Sequence, residues 1–103
     1  MISISLCMIV KNEEKVIERC LRSVKNLVDE IIIVDTGSKD KTKEIVQRYT
    51  NNVYDFKWCD DFSKARNFSF SKATKEYILW LDADDVILKK DREMFISLKK
   101  TLD

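Results

Sequence analysis

Residues 77–85 read Tyr-Ile-Leu-Trp-Leu-Asp-Ala-Asp-Asp, a run of large apolar side chains that stops at three carboxylates within four positions. The run has strand length, and Tyr, Ile and Trp favour a pleated, packed backbone. It shows no polar alternation. The expectation is a strand covered on both faces, as in the parallel sheet of an α/β domain. Open α/β sheets bind ligands beyond the carboxyl ends of their strands, and this end carries Asp82, Asp84 and Asp85. Carboxylates so close together repel one another, and a divalent cation relieves that repulsion. Mg2+ and Mn2+ favour oxygen ligands, and Mg2+ is commonly held by one or two carboxylates plus substrate phosphates. The pattern points to a metal-bridged phosphate site. The plainer alternative is an acidic cluster that only starts the next helix, since Asp forms turns and caps well. A calcium loop fits worse. Asp82, Asp84 and Glu93 fall at its positions one, three and twelve, but Ile87 stands where its sharp turn needs Gly.

The rest of the chain alternates between two periodicities. Ile4–Val10 is apolar nearly throughout and reads as a first strand. Lys11-Asn12-Glu13-Glu14 breaks it, with Asn12 expected to cap a helix and the two acids to sit in its first turn. Val16, Ile17, Cys20, Leu21 and Val24 then recur at helical spacing. A second strand is expected over Glu30–Asp35, closed by Thr36-Gly37-Ser38. Gly37 is the only glycine and stands where a tight turn or close ligand approach needs one. Residues 41–49 read as a short helix presenting Ile45, Val46 and Tyr49 to the sheet. Residues 53–58 read as a shorter third strand. Cys59-Asp60-Asp61 opens a further helix with Phe62, Ala65 and Phe68 on its apolar side. After the acidic cluster, Met94, Phe95, Leu98 and Leu102 fit a last amphipathic helix.

Strand and helix in alternation imply a parallel sheet with right-handed crossovers. In the order 3-2-1-4, strands one and four are neighbours at a switch point. Residues 11–14, Asp35 and residues 82–85 then crowd one carboxyl edge.

Composition excludes several chemistries. The 103 residues suffice for one domain. Nineteen basic and eighteen acidic side chains leave a net charge of +1, which makes no electrostatic case for nucleic acid as a partner. No apolar run approaches the roughly 18 residues of a spanning helix, so no transmembrane segment is expected. The chain has no histidine, which removes His-based acid–base chemistry and, with no metal-type cysteine spacing, a zinc site. Three cysteines cannot all pair with one another, and this fits a reducing, cytoplasmic setting.

Four motifs recur in order: Met8-Ile9-Val10-Lys11-Asn12-Glu13-Glu14, Ile33-Val34-Asp35-Thr36-Gly37-Ser38, Lys64-Ala65-Arg66-Asn67 and Trp80-Leu81-Asp82-Ala83-Asp84-Asp85. Together they resemble the amino-terminal half of family-two glycosyltransferases with the GT-A fold. The wording is similar to a bacterial subgroup opening Lys-Asn-Glu-Glu, whose domains often precede helical or tetratricopeptide-like segments. The resemblance implies that residues 1–103 form one nucleotide-sugar-binding domain with a Rossmann-like, mostly parallel sheet.

The resemblance also implies roles. The loop from Val10 through Asn12 to Glu14 would line the base and ribose, and Asp35 would accept a hydrogen bond from the base, typically uracil. Arg66 would lie near the base or diphosphate. Asp82 would contact ribose or sugar and share the metal, while Asp84 would bind the Mg2+ or Mn2+ that bridges the diphosphate. The acceptor (a glycan, lipid or peptide) and the general base of inverting transfer would belong to a half beyond Asp103, so no catalytic residue is assigned here. Turnover by these residues alone is not expected. Two other readings compete. One is a non-catalytic nucleotide-binding or assembly module, a homodimer through unfinished sheet surface among its forms. The other is a phosphoacceptor receiver, which lacks its acidic pair after the first strand and a convincing fifth strand.

Overall fold

The computed structural model describes residues 3–83. Asp84, Asp85, Glu93 and the helix expected around Met94, Phe95, Leu98 and Leu102 lie outside the described residues. Among the described residues four parallel strands form one sheet, as the alternation implied, and its order is β3-β2-β1-β4. They are β1 (Ile4–Val10), β2 (Glu30–Asp35), β3 (Val53–Asp55) and β4 (Tyr77–Trp80). Between them run α1 (Ile17–Val24), α2 (Thr42–Val46) and α3 (Phe62–Lys72).

β1 is the central strand, paired with β2 from Ser5↔Glu30 to Val10↔Asp35 and with β4 from Ile4↔Tyr77 to Cys7↔Trp80. Its alternate side chains serve two layers. Leu6, Met8 and Val10 join Ile31 and Ile33 of β2 in a buried cluster with Ile17, Cys20, Leu21 and Val24 of α1 and Val46 of α2. The four α1 residues follow the spacing i, i+3, i+4, i+7 that turns one helical stripe to the core. Toward α3, Cys7 donates through Sγ to the Ser69 carbonyl at 3.7 Å. Burial, with Glu30 nearby, pushes the Cys7 thiol up to about 11, so it sits in the core as a neutral group.

Several elements differ from expectation for identifiable reasons. β3 ends at Asp55 rather than at residue 58, because its partner β2 ends at Asp35. One further bond, Phe56 N–H to the Asp35 carbonyl at 2.9 Å, closes the ladder. α2 stops at Val46, where Arg48 and Tyr49 donate to the carbonyls of Ile45 and Val46 in a tightened last turn. α3 turns Ala65 and Ser69 to the sheet, small side chains that let the helix approach, while its aromatic residues flank the contact. Phe68 packs against Tyr54 and Phe56, and Phe62 and Phe70 meet Trp80 edge-on.

β4 corrects the opening expectation. Tyr77 and Ile78 are 50% and 43% exposed, because among the described residues β4 has only β1 beside it and forms the sheet edge. Asn12 does not cap α1, and Glu13 and Glu14 are not in its first turn, which contains Glu18. The helix starts at Ile17, with Val16 at its N-cap. Asn12 instead adopts φ of 53°, a conformation its short amide tolerates.

Candidate functional site at the carboxyl edge of the sheet

The loops leaving β1 and β2 are laced together at the carboxyl edge. Asn12 N–H donates to Ser38 Oγ at 2.9 Å, and Asn12 Oδ1 accepts from Lys39 N–H at 2.7 Å. Glu13 N–H donates to Thr42 Oγ1 at 2.7 Å. Glu14 and Asp40 exchange further bonds with the opposite backbone, Glu14 N–H to Asp40 Oδ2 and Lys41 N–H to Glu14 Oε2. Asn12 and Glu14 thus build the rim through hydrogen bonds between loops.

Asp35 ends β2 and is 3% exposed. Its Oδ1 accepts from Gly37 N–H at 2.8 Å and Ser38 N–H at 2.7 Å, a side-chain turn that needs Gly37 at φ of 115°. Its Oδ2 is buried and has no hydrogen-bond partner among the described residues. Buried polar atoms are nearly always paired, and an unpaired one on a residue that lines a cleft is a candidate acceptor for a ligand's donor.

Two adjoining clefts lie here. One, of about 360 Å3, is lined by Asp35, Thr36, Gly37, Phe56, Lys57 and Trp58, among others. The second, of about 260 Å3, is lined by Val10, Lys11, Glu13, Thr36, Trp58 and Phe62, among others. Val10 is buried, contributes to this wall and accepts at its carbonyl from Thr36 N–H and Oγ1. Glu14 lines a separate hollow beside Glu18 and Arg19, so Glu13 is the acid of the loop that faces the cleft. A larger cleft of about 520 Å3 opens at the amino ends of the strands. Its carboxylates are engaged in holding the fold: Asp29 accepts from Ile4 N–H, and Glu30 accepts from Ser5 Oγ and from Thr74.

The remaining expected residues lie around the carboxyl edge. Arg66 is exposed on α3, its guanidinium 5.9 Å above the Phe62 ring, which lines the second cleft. α3 is capped by Asp61, whose side chain accepts from Ser63 N–H and Lys64 N–H. Asp82 is exposed two residues past β4, its carbonyl accepting from Cys20 Sγ at 3.7 Å. Lys43 grips both oxygens of Asp55 at 2.8 Å, and that bond raises its ammonium above the ordinary lysine range.

No group of three or more Asp, Glu, Cys or His side chains is gathered for a metal among the described residues. A single exposed carboxylate at Asp82 still fits a hard cation that takes other oxygens from phosphate and water. Asp84 lies outside the described residues.

Thr36, Phe56, Lys57 and Trp58 were not singled out as site residues from the sequence. The signal was an aromatic and charged stretch directly after a strand's end, hidden because the strand was read through to residue 58.

The profile of Glycosyl transferase family 2 matches residues 5–101. The chain belongs to this family. A TPR repeat-containing protein of Synechococcus elongatus is 44% identical over 103 residues, which is 100% of this chain and 25% of the relative. The SPbeta prophage-derived glycosyltransferase SunS of Bacillus subtilis is 38% identical over 104 residues, covering 98% of this chain and 24% of the relative. The chain therefore spans about a quarter of these relatives' length. Among solved structures, S. aureus TarS in complex with UDP superposes with a TM-score of 0.68 at 30% identity, over 93% of this chain and 32% of TarS. M. tuberculosis glucosyl-3-phosphoglycerate synthase with Mn2+ and UDP-glucose matches at a TM-score of 0.70 and 24% identity, over 82% of this chain and 34% of that one. The second likeness is one of fold. The sheet and its flanking helices are those of the GT-A fold.

Proposed function

We propose that residues 1–103 form a donor-binding domain of an inverting glycosyltransferase, taking a uridine diphosphate sugar with Mg2+ or Mn2+. The observation that carries this reading is the buried, unpartnered Oδ2 of Asp35 in the carboxyl-edge cleft. Uracil has a ring imide N–H that such a carboxylate accepts, whereas adenine has no ring imide N–H to offer. The UDP complex of TarS, a protein of the same family fold, supports the same ligand class.

Each residue then has a defined task. Asp35 orients the base, and the loop from Val10 through Asn12 to Glu14 frames the ribose. Asp82 contacts ribose or sugar. Arg66 places positive charge toward the departing diphosphate, the electrostatic task in this kind of transfer. Asp84, with Asp82, would hold the divalent cation, which when bound neutralises phosphate charge. The acceptor's deprotonation is assigned to no described residue. Among the described residues no helix is long and apolar enough to cross a membrane. Three cysteines, an odd count that cannot all pair with one another, suit a reducing, cytoplasmic setting.

The test is calorimetric titration of the chain with UDP and ADP, with and without Mn2+, on wild type and Asp84→Asn. UDP should bind in preference to ADP, and Mn2+ should tighten UDP binding in wild type alone. Equal binding of the two nucleotides would sink the base assignment. An Mn2+ enhancement that survives Asp84→Asn would sink the metal assignment.

A further inference from the structure

We propose that the Trp58 indole is the platform on which the donor's base lies flat, with Asp60 as the positioning residue that holds the ring. This rests on the uridine-nucleotide reading above and adds two residues to it. Trp58 lies three positions past β3, where the chain has left the sheet. Among the described residues only Trp58 and Thr36 line both clefts of the carboxyl edge, and one of these clefts is lined by Asp35, whose Oδ2 is unpartnered. A base that points its ring N–H at that oxygen presents a π face to the walls of the same cleft.

Among the described residues those walls contain two aromatic rings. Phe56 is already packed, its centroid 5.1 Å from that of Phe68. Trp58 stacks on no other ring among the described residues and is 39% exposed. An indole this open would be expected to rotate freely. Here Nε1–H donates to Asp60 Oδ1 at 3.1 Å, which fixes the ring plane. Asp60 holds φ of 59°, the left-handed region that non-glycine residues seldom occupy. Asp, like Asn, tolerates this conformation, and the loop here leaves a large apolar ring in water and pins it through Asp60. A half-wet aromatic with a satisfied N–H is a stacking surface. Stacking is tolerant of base identity, because every base has a π face. The division of labour follows: Trp58 supplies affinity for the ring, and Asp35 reads which ring it is.

The experiment titrates the full chain, in Mn2+, with UDP, CDP and inorganic pyrophosphate. It compares wild type with Trp58→Ala, Trp58→Phe, Asp60→Ala and Asp60→Asn, each checked by melting temperature. Trp58→Ala should weaken both nucleotides about 10- to 100-fold while leaving their ratio and the pyrophosphate affinity unchanged. Trp58→Phe should recover most of the loss. Asp60→Ala should weaken UDP less than Trp58→Ala does, and Asp60→Asn, whose amide oxygen accepts the same bond, should restore it. In Trp80→Phe, where Trp58 is the single tryptophan, UDP should quench the emission, a readout that needs no destabilising change at Trp58. UDP binding unchanged in Trp58→Ala overturns the platform while leaving the Asp35 reading standing. A changed UDP-to-CDP ratio in that variant also overturns it, because the ring would then be reading a base edge. Failure of wild type to bind UDP overturns both.

Discussion

Replacing Asp35 with Asn keeps the side chain's shape while removing its charge, which isolates what the open oxygen does. The side chain is 3% exposed, and its Oδ1 already holds two backbone N–H groups at 2.8 and 2.7 Å. Asn can satisfy both with its amide oxygen, and this places Nδ2–H2 where Oδ2 now stands. The fold should therefore change little, by about 1 kcal/mol or less, since both backbone N–H groups keep their acceptor and the buried Nδ2–H2 replaces an oxygen that was itself unpartnered. Binding should change far more. A uracil imide N–H would lose a charge-assisted acceptor and face a donor, at about 1.5–3 kcal/mol. That corresponds to a Kd for UDP about 10- to 150-fold weaker. Cytosine carries an acceptor at the same ring position, so the variant should shift its preference toward CDP. Calorimetric titrations of both proteins with UDP and CDP measure the effect directly. A UDP affinity unchanged in Asp35→Asn, with melting temperature preserved, would refute the reasoning.

Three further outcomes follow from the geometry. Gly37→Ala should destabilise the chain by about 1–3 kcal/mol in urea unfolding through backbone strain alone. The reason is that φ is 115° and an added Cβ would meet nothing within 4 Å; a neutral result would contradict it. Asp61→Ala should remove about 1 kcal/mol by uncapping α3, and Asp61→Asn should retain it, as circular dichroism melts would show. Glu30 feels burial against its charge, but bonds from Thr74 and Ser5 hold its carboxyl below the usual range. Its folded pKa is thus depressed, so the stability it adds is present above the unfolded value and is lost as pH falls through the folded one. Glu30→Gln should therefore melt lower than wild type near neutrality, and the gap should close as pH falls below the ordinary glutamate range; a gap independent of pH would count against this.

Local pattern was enough to place β1 and β2 to the residue, because each is an apolar run with charged or turn-forming residues at both ends. The core stripe of α1 was legible at Ile17, Cys20, Leu21 and Val24 for the same reason. Parallel pairing followed from alternation and the handedness of crossovers, whereas the order 3-2-1-4 was a conditional reading that the sheet bears out. What the sequence could not express was how far pairing extends and what a segment meets. β3 is short because β2 ends at Asp35, and β4 is half exposed because it is an edge of the described sheet. Nothing within residues 53–58 or 77–81 encodes either fact.

The same division runs through the site. Asp35 and Asp82 could be singled out as carboxylates at or just past a strand end, which is visible in one dimension, whereas Arg66, in the middle of α3, was named only through the family resemblance. That Asp35 keeps one oxygen open, that Asn12 ties two loops instead of capping α1, and that Trp58 walls the cleft were decided only by the tertiary structure. Periodicity records which face of a segment avoids water. An unpaired atom, an inter-loop bond or a cleft wall depends on groups far apart in the chain arriving at one edge, and only the packed sheet brings them there.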